Sequence, residues 1–147
     1  MVVSEPRRNP GELLAAISNI VVGVYADCLG RGPTRARSYM DQNVVLCLLE
    51  DTLTPSERAL CEAGQRERLL ELRIVLNDAM RDELTSRIEK LLGREVKALV
   101  SGTQLAPDVA SEVFVLGEPL PDRNGGGAEE PAPAQRGQPS ERLTEER

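Results

Sequence analysis

Apolar residues in the first thirty positions recur three and four apart: Leu13, Leu14, Ile17, Ile20, Val21, Val24, Cys28 and Leu29. That spacing predicts an amphipathic helix from about Pro10 to Leu29, with one continuous buried stripe. Asn9 supplies an N-cap oxygen, Pro10 suits the first helical position, and Glu12 stands where a capping-box acid belongs. Gly30 fits the left-handed position after the last turn, and Pro33 blocks continuation. Beyond this corner the period changes. Arg35–Met40 alternates polar with less polar side chains and predicts a strand with one solvated face. Asp41-Gln42-Asn43 is turn chemistry. Val44–Glu50 is too apolar to be half exposed, so it predicts a central strand, joined to the first by a hairpin.

Thr54-Pro55-Ser56-Glu57 starts a second helix with Thr as N-cap, Pro at the first position and Glu in the capping box. This helix runs to about Ala63, and Gly64 allows a break. A long helix follows over about Gln65–Leu92. Its predicted stripe is Leu69, Leu72, Leu76, Met80, Leu84, Ile88 and Leu91, with Arg73, Asp82, Glu83, Glu89 and Lys90 on a solvated face. Gly93 ends it as Gly30 ends the first. Strands are expected over about Glu95–Ser101 and Glu112–Leu116, joined by a link over Gly102–Ala110. Leu29-Gly30-Arg31 returns as Leu92-Gly93-Arg94, each time after a helix and before two strands. The predicted fold is α+β: a duplicated helix–strand–strand unit whose antiparallel sheet is packed by two long helices, plus one short helix. Residues 1–10 read as a flexible lead-in and 11–117 as the folded domain. From residue 118 to 147 prolines, glycines and charges dominate, and disorder is expected because little apolar surface offsets chain entropy.

Composition narrows the function classes. One Phe, two Tyr and no Trp leave aliphatics to build the core and provide no stacking platform for single-stranded nucleic acid. The 18 basic and 24 acidic residues give a net charge of −6, of which the tail from Glu118, with seven acids and four bases, carries −3. The mildly acidic body disfavours binding to a phosphate backbone. Three cysteines without a CxxC, and no histidine, remove the usual zinc ligand sets apart from all-thiolate or carboxylate ones. Cys28 and Cys47 read as small core hydrophobes, and Cys61 as the exposed thiol. The polar lead-in does not look like a signal peptide, and Ser18 and Asn19 interrupt the longest apolar run, so no membrane span is expected.

Chemistry concentrates at two places. Gly30-Arg31-Gly32-Pro33-Thr34, with Arg35 and Arg37, invites an anion-binding reading. Phosphate loops, however, sit at helix N-termini, and this corner follows a helix C-terminus, whose dipole repels anions. Glu50-Asp51 with Glu57 has the oxygens for a hard cation, yet Asp51 ends a strand and Glu57 caps a helix. The Arg66-Glu67-Arg68 and Arg81-Asp82-Glu83 clusters read as exposed helix faces. Four strands under two helices leave an edge or groove for a second copy or a partner peptide.

Three segments of the first half carry a family resemblance: Gly11 to Asn19 (GELLAAISN), Leu29 to Arg37 (LGRGPTRAR) and Leu48 to Thr54 (LLEDTLT). Asp78-Ala79-Met80-Arg81, Leu91-Leu92-Gly93-Arg94-Glu95-Val96 and Val113-Phe114-Val115-Leu116 continue it. In this order they resemble the MpsC family over about Gly11–Leu116. The resemblance implies a small cytoplasmic bacterial protein associated with a sodium-translocating, membrane-potential-generating system linked to inorganic-carbon uptake. The family offers no established catalytic residues to carry over. The expected function is therefore a non-enzymatic accessory or regulatory protein with no cofactor and no metal. Its expected partners are proteins: a membrane transporter subunit, or a second copy in a homodimer. Neither nucleic acid nor direct membrane insertion is expected. Arg31, Thr34, Arg35, Arg37, Glu50 and Asp51 are the expected contacts. The alternative is a ligand- or anion-binding domain, or an enzyme, with a pocket near Arg31, Arg35, Glu50 and Asp51.

Overall fold

The computed structural model describes residues 9–120. The expected lead-in up to residue 8 and the expected disordered tail from residue 121 lie outside them. Between are α1 (Pro10–Leu29), β1 (Arg35–Asp41), β2 (Val44–Glu50), α2 (Pro55–Glu62), α3 (Arg66–Leu92), β3 (Val96–Gln104) and β4 (Val109–Leu116). The four strands form one antiparallel sheet in the order β1-β2-β4-β3. The fold is α+β. Each half is a helix followed by a hairpin, and the second strand of each half is an inner strand. Two units related by a two-fold between β2 and β4 would give this order.

Local chemistry sets the element ends. The Asn9 side chain accepts from the Glu12 N–H at 2.8 Å, and Thr54 and Glu57 form a complete capping box. Gly30 and Gly93 close the two long helices in the left-handed region, at φ 79 and 64, where a Cβ would be strained.

Both long helices cover one face of the sheet. The core joins Ile17, Val21, Val24 and Tyr25 of α1 and Met80, Leu84 and Ile88 of α3 to Val45, Cys47, Leu49, Leu99, Ala110, Phe114 and Leu116. By length and composition α1, with a mean hydropathy of 1.5, could cross a membrane, contrary to expectation. In this fold its apolar stripe is the lid over the sheet. One row under that lid is polar: Ser38, Cys47, Glu112 and Ser101 are register neighbours on adjacent strands. Glu112 is fully buried and accepts from the Tyr25 hydroxyl at 2.7 Å and from Ser101. Burial raises its pKa, the Ser101 and Tyr25 hydrogen bonds opposing this, and burial likewise raises those of Tyr25 and Cys47.

Four expectations need correction. Val44–Glu50 is an inner strand as expected, but it is buried on one face only, Val44, Leu46 and Leu48 lying on the other. The Gly102–Ala110 link is mostly strand: β3 runs on to Gln104 and β4 starts at Val109, because Gly102 and Thr103 pair with Ser111 and Ala110. In α3 the buried stripe is Leu69, Arg73, Asn77, Met80, Leu84 and Ile88. Its second half agrees with the pattern, but in its first half Arg73 and Asn77 face inward and Leu72 faces solvent. Cys28 is exposed rather than buried, at the mouth of a shallow groove between α1 and α3, while Cys47 is buried and Cys61 is half-buried.

Candidate functional site

The corner after α1 turns on Gly30 and is held close by Gly32, where a Cβ would come within 3.2 Å of Val22. This directs Arg31 at the loop that follows β2. Its Nη1 donates to the carbonyls of Asp51 and Leu53 at 3.0 and 2.8 Å, and its Nη2 to the Asp51 carboxylate at 2.6 Å. Thr34 Oγ1 donates to the same carboxylate at 3.0 Å, and Arg58 of α2 also pairs with it. Asp51 itself lies in the left-handed region at φ 57, a backbone state that Asp tolerates better than most residues. Hydrogen bonds from Arg31 and then Thr34 hold its carboxyl below the usual range.

From the β3–β4 turn, Asp108 completes the loop. Its carboxylate accepts from the Thr52 N–H at 3.0 Å, the Thr52 hydroxyl at 2.9 Å and the Leu53 N–H at 2.9 Å. Beneath lies an ion pair that the sequence reading missed. Arg73 Nε and Nη2 donate to both oxygens of Glu57 at 2.6 and 3.0 Å, and Nη2 also reaches the Thr52 carbonyl at 3.0 Å. Arg73 is fully buried and Glu57 nearly so. The capping-box acid of α2 is therefore also the counter-ion that ties α2 to α3. Arg73 Nη1 and Asn77 Oδ1, one turn apart, are buried without hydrogen-bond partners.

The expected contact residues thus divide into two groups. Arg31, Thr34 and Asp51 bond one another and shape the corner. Arg35 and Arg37 stand out from β1, 70% and 53% exposed, each about a hydrogen bond's outer limit (3.4 Å) from Glu50. Such exposed pairs contribute little, typically about 0–1 kcal/mol. Among the described residues no group of three or more Cys, Asp or Glu side chains could hold a metal ion. A groove of about 270 Å³, lined by Val24, Asp27, Cys28, Met80, Glu83 and Arg87 among others, includes none of these contact residues.

The same end of the molecule carries apolar side chains in water. Leu60 of α2 and Leu70, Leu72, Ile74 and Val75 of α3 are exposed, Ile74 and Val75 by 68% and 64%. With Arg73 and Asn77 inside, this half of α3 has its polarity partly reversed. A family model described as the Na+-translocating membrane potential-generating system (MpsC) matches residues 9–118. The chain belongs to the MpsC family. No curated protein and no solved structure matches it. The MpsC match takes in all seven elements, and with them the corner, the buried Arg73–Glu57 pair and the exposed half of α3.

Proposed function

We propose that this MpsC-family protein is a non-enzymatic accessory component that acts through protein contacts. Family membership associates it with a Na+-translocating, membrane-potential-generating system. The observation that carries the accessory reading is the exposed apolar surface of α2 and the first half of α3, formed by Leu60, Leu70, Leu72, Ile74 and Val75. Large apolar side chains standing in water on two adjoining helices mark an interaction site. The corner beside it is stiffened by Arg31, Asp51 and Asp108. Arg58, on α2 itself, supplies a charge at the polar rim that a protein interface carries. The partner is an integral membrane subunit, met from the cytoplasmic side. The alternative pocket at Arg31, Arg35, Glu50 and Asp51 is less favoured, because these groups pair with one another.

Affinity capture from native membranes tests this reading with wild type, Ile74→Asp/Val75→Asp and Arg58→Ala. The expected result is recovery of an ion-translocating membrane subunit by wild type. Recovery should be largely lost with the first variant and reduced with the second. Equal recovery by all three, or none from a folded wild type, would remove the proposed contact surface.

A further inference from the structure

The sheet has a second face, and no described residue covers it. Strand register sorts its side chains into four rows across β1, β2, β4 and β3: Arg35–Glu50–Val109–Gln104, Arg37–Leu48–Ser111–Gly102, Tyr39–Leu46–Val113–Val100 and Asp41–Val44–Val115–Ala98. Apart from Asp41, the last two rows are aliphatic or aromatic, and Leu48 extends them into the second. Tyr39 is 50% exposed, Val44 38% and Val100 59%. A sheet with one apolar face under helices and another in water has a buried surface still to make.

We propose that two copies of this chain pack these open faces together about a two-fold axis crossing the strands at the Tyr39–Leu46–Val113–Val100 row, with Arg37 of each copy paired to Asp41 of the other. The charge order on β1 selects this axis. Along the exposed edge, Arg37, Tyr39 and Asp41 run plus, aromatic, minus. A two-fold through the Tyr39 row lays each Arg37 over the other copy's Asp41, on both sides. It also sets Leu48 over Val44 and keeps Leu46 and Val113 at the centre. A two-fold along the strands would instead place Arg37 over Gly102 and Asp41 over Ala98, burying Asp41 without a partner and leaving Arg37 only its long contact with Glu50, which is costly. Arg37 can exchange partners, since its contact with Glu50 is long and exposed.

Size agrees with a second copy as the occupant. Strands about 4.8 Å apart and same-face rows about 7 Å apart give the three rows that overlap about this axis a footprint on the order of 20 by 20 Å. That is below the roughly 800 Å² per partner of standard interfaces and in the range of weak, reversible ones, so the dimer should be concentration-dependent. Two sheets joined face to face form an aligned sandwich, which gives each the second layer it lacks. The contact is independent of the α2–α3 surface and leaves that surface free for another protein.

Sedimentation velocity on the full-length chain over a wide concentration range tests the proposal. Wild type should dimerise. Arg37→Asp places like charges together twice and should weaken the dimer at least about tenfold, and Arg37→Asp/Asp41→Arg should restore it. In a Cys28→Ser/Cys61→Ser background, Leu46→Cys should form a disulfide-linked dimer on mild oxidation, whereas Val75→Cys on α3 should not. A wild type that stays monomeric would overturn the proposal, as would a charge swap that fails to restore the dimer or cross-linking through position 75 instead of 46. Because the protein is isolated in this experiment, a negative result leaves the membrane-subunit reading standing.

Discussion

Arg73 is a fully buried charge whose counter-ion, Glu57, is nearly as buried. A guanidinium buried with its carboxylate is stable only while both are present; removing one leaves the other desolvated and unpaired, at about 3–5 kcal/mol. Arg73→Met should therefore destabilise the protein by that order in chemical denaturation, and adding Glu57→Leu should recover a substantial part of it. Two further carboxyls give opposite pH dependences. Asp51 has a depressed folded-state pKa, so its contribution is present above the unfolded value of about 3.9 and is lost as pH falls through the folded one. Asp51→Asn should flatten the acid limb of the stability curve. Glu112 has a raised pKa, so the folded state holds its proton more tightly and stability falls as pH rises from about 4.3 through the folded value. Glu112→Gln keeps an acceptor for Tyr25 and a donor for Ser101, and should abolish that decline in thermal melts taken across the range.

At the scale of the element, what is encoded locally was legible and what depends on neighbours was not. Caps are written in three or four consecutive residues, so Asn9-Pro10, Thr54-Pro55 and the two left-handed glycines place the helix ends correctly. Gly30→Ala should cost about 1–2 kcal/mol, because the position lies where a Cβ is strained, and a melting curve measures it directly. The first half of α3 was misread for a physical reason. Leu69, Leu70, Leu72, Ile74, Val75 and Leu76 surround the helix, so periodicity does not choose an inner face there. The choice is made by Glu57, sixteen residues upstream of Arg73, which draws Arg73 inward and turns Leu72 out. Gly102 and Thr103 look like turn residues, and only pairing with β4 keeps them in the sheet. The candidate site was half legible: Arg31 and Asp51 were singled out, but that they bind each other follows from the Gly30–Pro33 corner. Asp108 and Arg73 gave no signal of their own.

The described residues form a two-layer fold in which two apolar surfaces are left open, one on the sheet and one on α2–α3. A chain with 40% hydrophobic residues and few aromatics fills one thin core and has aliphatic surface left over for association. Assigning the sheet face to a second copy and the α2–α3 face to a membrane subunit gives each surface an occupant. The most direct test of this account places a photo-crosslinking residue at position 75 in the native cell and identifies what it captures. The account predicts an integral membrane subunit of the ion-translocating system, cross-linked at that position and not from an exposed position on the far side of α1, such as Asn19. Capture of only a second copy of this chain, or of the same proteins from both positions, would contradict it.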